Sequence, residues 1–305
     1  MKRISHTCRT SWNATMRGTA GCKALCVAFV AMFILSACGG STRLLLSREH
    51  AAEAGIGIGR AAAVDTDGAV FLADGSQVVR FDPDDNSVED ILNEPAGGIT
   101  DIAFAEDGVL LILQGAQLGA FFGGKVIPVT DAPAYGEMMS VYGRSLYAAL
   151  RDSAGAATLF QRYELDRRYW SPLMRSDTRI SAICGVRGGC LFAVGDSVFK
   201  LFEAVPGTKA DACQVVLLCA VAGAEITSVV ADEASEAVFF ADADMTYAWA
   251  KGGVYPFFPV GGSLRMRAGK LHIISQSTAQ IVRIGSPRSR LNEIIEGTAA
   301  EEPPR

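Results

Sequence analysis

Three kinds of side chain here could do chemistry: carboxylates crowded into turns, closely spaced cysteines and a few histidines. In the run Asp82-Pro83-Asp84-Asp85-Asn86, residues 82, 84 and 86 stand at positions one, three and five of a calcium-loop template. Position six is Ser87, where the sharp turn needs glycine, and position twelve is Asn93 instead of a bidentate glutamate. An inter-strand turn accounts for the run, because Asp and Asn tolerate turn backbone and bond to it with their side-chain oxygens. Asp65, Asp67 and Asp107 have the same reading. Asp242 and Asp244 alternate along one strand face and would hold a cation only if that face lined a channel.

Nucleophilic chemistry has less to work with. There is no Gly-x-Ser-x-Gly elbow, and of His6, His50 and His272 the last lies inside a strand-like run. Gly55-Ile56-Gly57-Ile58-Gly59 lacks both phosphate-loop spacing and a following helix, so it implies no nucleotide cofactor. No catalytic residue, metal ligand or cofactor is assigned. The 28 Lys and Arg against 33 Asp and Glu give −5, which argues against a nucleic-acid partner. With 50% hydrophobic residues in 305, there is apolar material for one large core or two small ones.

Lys2, Arg3, Arg9, Arg17 and Lys23 form a basic start without an acid, and the apolar run 24–34 follows. That run has the length of a signal-peptide core and is shorter than the ~20 residues a membrane-spanning helix needs. Leu35-Ser36-Ala37-Cys38, then Gly39-Gly40-Ser41, comes next and resembles the lipobox of bacterial lipoproteins. The resemblance implies removal of residues 1–37, acylation of Cys38 with chains such as palmitate, and attachment to a membrane through that lipid. Gly39 in place of Asp is similar to lipoproteins sorted to the outer membrane, with the inner membrane left open. Translation from Met16 instead of Met1 would give a shorter basic region. Segment 1–37 takes five cations and no acid with it, so the remaining 268 residues carry −10. The lipid, and not surface charge, would supply attachment.

With Cys38 acylated, four cysteines remain for an oxidising compartment. Cys184 and Cys190 flank Gly185-Val186-Arg187-Gly188-Gly189 and can face each other across a hairpin, which predicts a Cys184–Cys190 disulfide. Cys213 and Cys219 flank an apolar run; if it is extended they lie ~20 Å apart and do not pair without a local bend. Cys-x5-Cys twice, without histidine support, does not suit zinc.

The elements that must position these residues recur. Val70, Leu110, Leu146, Leu191, Val238 and Leu271 sit in equivalent apolar runs at spacings of 40, 36, 45, 47 and 33, close to the length of a four-stranded propeller blade. Each is followed by a further strand-like run, and fourth strands show at 88–92, 126–129, 215–218 and 254–258. The fold class expected is all-β, a six-bladed β-propeller over residues 55–285, with a seven-bladed ring or a two-sheet sandwich as alternatives. Arg43–Leu46 or Leu291–Ile295 would close the ring. Residues 38–54 then form the acylated cysteine and its tether, and 286–305 a C-terminal strand and disordered tail. The phrase AVDTDGAVFLADGSQVVRFDPDD at 63–85 resembles the NHL-type repeat of six-bladed propellers, well in the first blade and loosely later.

Propeller lactonases, which such repeats resemble, hold a central divalent metal with Glu, Asn and Asp, and the resemblance implies such residues at the starts of innermost strands. Here Asn13, Asn86, Asn93 and Asn292 are the only asparagines, and none stands where an innermost strand should start. By repeat alignment Arg60, Asp101, Glu137, Arg179 and Glu225 stand there instead. That set mixes both signs of charge, which suits a protein or peptide partner. The sequence therefore reads as a lipid-anchored envelope protein, periplasmic or surface-facing, whose propeller binds or scaffolds an envelope protein. A metal-dependent propeller hydrolase and a small-ligand-binding propeller are the alternatives.

Overall fold

The computed structural model describes residues 42–93, 98–152, 154–155, 158–203 and 213–300. They build six four-stranded antiparallel sheets arranged as a six-bladed β-propeller. The expected signal segment 1–37, Cys38 and the tail 301–305 lie outside the described residues. The innermost strands are Ala61–Val64, Ile99–Phe104, Tyr135–Tyr142, Ala182–Val186, Ser228–Asp232 and Ser263–Arg267. Each neighbours the next around a common axis, and the last neighbours the first. We call the face where these strands begin the upper face, and the face where they end the lower.

Burial explains why the repeat is visible in the sequence. Second strands such as Val70–Asp74 and Ala237–Ala241 are covered on both sides by neighbouring blades, so they read as unbroken apolar runs. Outermost strands such as Ser87–Asn93 carry one solvated side and read as polar. All six positions used to set the repeat fall on second strands. Between blades the cores interlock through aromatic contacts. Phe71 of the first blade meets Phe104 of the second edge-on at 4.9 Å, and Phe160 of the third meets Phe192 of the fourth at 5.9 Å. Burying each such ring contributes about 1.5–3 kcal/mol.

Thr42–Leu46 closes the ring, pairing antiparallel with Gln280–Ile284 as the outermost strand of the sixth blade. Residues 42–46, expected in the tether, therefore belong to the ring. A register shift interrupts the pairing of every outermost strand, at Val78/Val79, Leu118/Gly119, Phe160/Gln161, Val198/Phe199, Thr246/Tyr247 and Leu44/Leu46. Such bulges sharpen local twist. The N-terminal strand carries the same irregularity as its five counterparts.

Among the described residues two helices flank the ring: α1 (Arg48–Glu53) and α2 (Pro287–Ala300). The α2 assignment corrects the expectation of a strand at 291–295. Pro287 fits the first helical position, and Leu291, Ile294 and Ile295 recur at helical spacing. That stripe packs on the cluster around Phe257 and Phe258. Arg290 donates from Nε to the Phe257 carbonyl at 3.2 Å and lies over the rings of Phe257 and Phe258. Among the described residues no helix is long and apolar enough to cross a membrane.

Candidate functional site

The axis of the ring is the place where side chains from all blades converge. Polar side chains of the inner strands bond across blade boundaries there. Asp101 accepts the N–H of Ile102 on its own strand and that of Met139 on the next blade, at 2.9 and 2.8 Å. Ser140 Oγ accepts from Gly185 N, Ser228 Oγ accepts from Leu264 N, and Ser263 Oγ donates to the Arg60 carbonyl. Gly185 is required by this closeness, because a Cβ there would lie 2.8 Å from Tyr142 and Tyr147.

Arg265 divides the channel. Its Nε donates to the Ala62 carbonyl at 2.5 Å, Nη1 to Leu264 O at 2.7 Å, and Nη2 lies 3.8 Å from Asp101. Above it, Arg60, Asp101 and Glu137 line a narrow mouth of about 40 Å³. Arg60 reaches across to donate to the Ser181 carbonyl. Burial pushes the Asp101 carboxyl up, opposed by Arg265 and by the two backbone N–H bonds. Glu137, largely enclosed, accepts from Arg151 Nε at 3.0 Å and pairs with Arg179 Nη2 at 3.4 Å.

Of the five residues expected at the mouth, the structure brings together Arg60, Asp101, Glu137 and Arg179. Glu225 is exposed beside the start of the fifth inner strand, away from the mouth lining. Sequence reasoning passed over Arg265, although it stands third on its inner strand as Asp101 and Glu137 do on theirs. It also passed over the rim beside Glu137. Tyr135, Arg151 and Arg175 line an open groove of about 890 Å³ on the upper face of the third blade. Tyr135 is 48% exposed, with the Arg151 guanidinium 6.0 Å from its ring centre, and Arg175 pairs with Asp152 at 3.2 Å.

Below Arg265 lies a cavity of about 280 Å³, lined in part by Phe104, Tyr142, Cys184, Glu233 and Arg267. Tyr142 Oη donates to Glu233 at 2.9 Å, and Glu233 also accepts from Arg187 N at 2.8 Å. Burial pushes the Cys184 thiol up to about 11, so it is neutral near pH 7.

The cysteines correct one expectation. Cys184, Cys190, Cys213 and Cys219 are all free thiols. Cys184 stands opposite Leu191, and Cys190 opposite Gly185, so the two sulfurs point to opposite faces of the sheet. Cys184 packs toward the fifth and sixth blades, whereas Cys190 packs toward the third.

The acidic turns behave as turns. Asp65 Oδ1 accepts the N–H groups of Asp67, Gly68 and Ala69, and Asp242 Oδ1 those of Asp244 and Met245. Asp242 and Asp244 stand in an upper-face hairpin of the fifth blade and not on the axis. Asp85 accepts from Ser87 N at 2.8 Å, and its bonds to Ser87 draw its carboxyl below the usual range. Among the described residues no three His, Cys, Asp or Glu side chains are grouped so as to hold a metal.

No protein-family model matches the sequence, and no curated protein sequence does. Solved structures do. The chain is similar to a candidate gluconolactonase, with TM-score 0.63 and 13% identity over 81% of this chain and 92% of that one. It is also similar to an auxiliary nutrient binding protein from Bacteroides thetaiotaomicron, with TM-score 0.55 and 11% identity over 75% and 69%. A chain of a nidogen/laminin complex gives TM-score 0.54 and 12% identity over 72% and 99%. At these identities the likeness establishes the propeller fold alone.

Proposed function

We propose that this chain is a membrane-anchored envelope lipoprotein whose propeller binds a protein partner through its upper face. The observation that carries the reading is the rim of Tyr135, Arg151, Arg175 and Arg179 beside the mouth, where all four side chains are substantially exposed. Tyr and Arg are the side chains that contribute most at protein interfaces. A rigid ring also offers them at little entropic cost. The lipobox-like sequence at Cys38 supports the anchor. Propellers in the comparisons include one described as nutrient-binding and one from a nidogen/laminin complex, which is in keeping with a binding role.

The hydrolase reading has in its favour the likeness to a candidate gluconolactonase. Against it, both carboxylates at the mouth are engaged, Asp101 by backbone N–H groups and Glu137 by two arginines. The lower cavity, just under the size range of small-molecule sites, keeps a small-ligand role as a second reading.

In-cell cross-linking followed by affinity capture and mass spectrometry tests the proposal. An envelope partner is expected with the unsubstituted chain and should be lost when Arg151, Arg175 and Arg179 are all changed to Glu. Retention of the same partner by that variant overturns the rim as the site. Cys38→Ala should abolish incorporation of labelled palmitate into the chain in a separate assay.

A further inference from the structure

The placement of Thr42 fixes more than ring closure. Thr42 pairs with Ile284, and the sixth blade's inner hairpin joins Arg267 to Lys270, so Thr42, Ile284, Arg267 and Lys270 all lie at the lower end of that blade. Only three residues, Gly39, Gly40 and Ser41, separate Cys38 from Thr42, so the four Cα–Cα steps reach at most about 14 Å. We infer that the ring is held with the lower face of its fifth and sixth blades against the bilayer, and its upper mouth turned away. This rests on the reading that Cys38 is acylated. A link that short cannot carry the ring clear of the lipid, because each blade alone is about 17 Å tall.

Charge selects the part of the lower face that lies closest. Lys251, Lys270 and Arg288 are exposed there, and Arg267 and Arg283 are half-buried. Lys251 and Arg288 share one groove, whose single acid is Glu236, while Glu233 is exposed on the same lower turn of the fifth blade and Glu293 and Glu296 on α2. On the other side of Thr42 the first blade turns down Asp67, Asp84 and Asp85, all exposed, with Arg43 paired to Asp84 at 3.4 Å. Anionic headgroups attract the first set and repel the second. The balance of charge favours the approach of blades five and six over that of the first blade. The tyrosine and arginine rim on the upper face is thereby presented to the aqueous side.

The test uses the full chain, produced with its leader and reconstituted in vesicles of phosphatidylcholine and phosphatidylglycerol carrying a headgroup-linked acceptor dye. Donor dyes go on Lys270→Cys, at the lower end of the strand Lys270–Ser275, or Gln276→Cys, just past its upper end and about 20 Å away, with labelling of native thiols subtracted. Energy transfer from position 270 should exceed that from 276 by at least about twofold. A twenty-residue Gly/Ser insert between Ser41 and Thr42, about 25 Å in mean reach, should bring the two to parity. Equal transfer without the insert, or stronger transfer from 276, overturns the orientation while leaving the anchor standing. Mass spectrometry of Cys38 that finds no acyl chains, with no vesicle binding, overturns both.

Discussion

The two halves of the axial channel are walled by the same six strands and filled by different chemistry. Above Arg265 the space is narrow and crossed by charge: Asp101, Glu137, Arg60 and Arg179 are bound to one another's blades or backbones. Below it the space is several times larger, and its lining adds a neutral thiol, a tyrosine–glutamate pair and Arg267. The upper half is where blades are tied together, and the lower half is where room is left. An axial acid in a propeller is thus no evidence of catalysis until its oxygens are shown to be unoccupied. Both oxygens of Asp101 are already occupied by backbone N–H groups.

That contrast can be broken at three places and set against a fourth outside the channel, in falling order of effect. Asp101→Ala should be the most damaging, because it orphans two N–H groups and leaves Arg265 without its acid. A loss of about 3–5 kcal/mol is expected, seen as a Tm lower by roughly 10 °C, and Asp101→Asn should lose less. Cys184 should react with iodoacetamide at pH 8 about a hundredfold more slowly in the native chain than in denaturant, since its pKa stands near 11 against 9.0. Failure of any thiol to react even in denaturant would instead reveal disulfides.

His272, buried in the second strand of the sixth blade, supplies a reference point away from the channel. Burial first, then Arg283, lowers its pKa from 6.5 to about 4. A lowered imidazole pKa makes the folded state bind protons less readily than the unfolded state. Its contribution is therefore complete above pH 6.5 and is lost as pH falls toward 4. Between pH 7 and 5 the chain should lose about 2 kcal/mol that His272→Leu does not lose, measured by urea unfolding at both pH values. The mildest change is Tyr142→Phe in the lower half. It removes one bond to Glu233 and should cost about 1 kcal/mol or less by the same assay.

Much of the fold was legible because second strands are covered on both sides and leave an apolar run every forty or so residues. Blade number and strand order follow from that pattern. The closing strand did not, since Arg43–Leu46 and Leu291–Ile295 are both short apolar runs, and only the helical spacing of Leu291, Ile294 and Ile295 separates them. The Cys184–Cys190 pairing failed for a reason particular to sheets. The hairpin register is one residue away from the one that would align them, and one residue reverses the face. Arg265 was readable in principle from its place third on an inner strand. The Tyr135–Arg151 rim was not, because those residues sit on different strands and meet only when the third blade folds.

Ring closure by Thr42–Leu46 also sets an order of events in time. The first strand of the ring to leave the ribosome is the last to find its partner, some 240 residues later, once Gln280–Ile284 exists. Five blades can pair locally as they appear, but the sixth stays one strand short until then. A loop of that length closes slowly, and slow closure through non-local pairing is characteristic of late, cooperative folding. A chain still being synthesised therefore remains an open arc with one unpaired edge, in a state that can be threaded through a narrow pore. Completion of the circle is coupled to completion of the polypeptide.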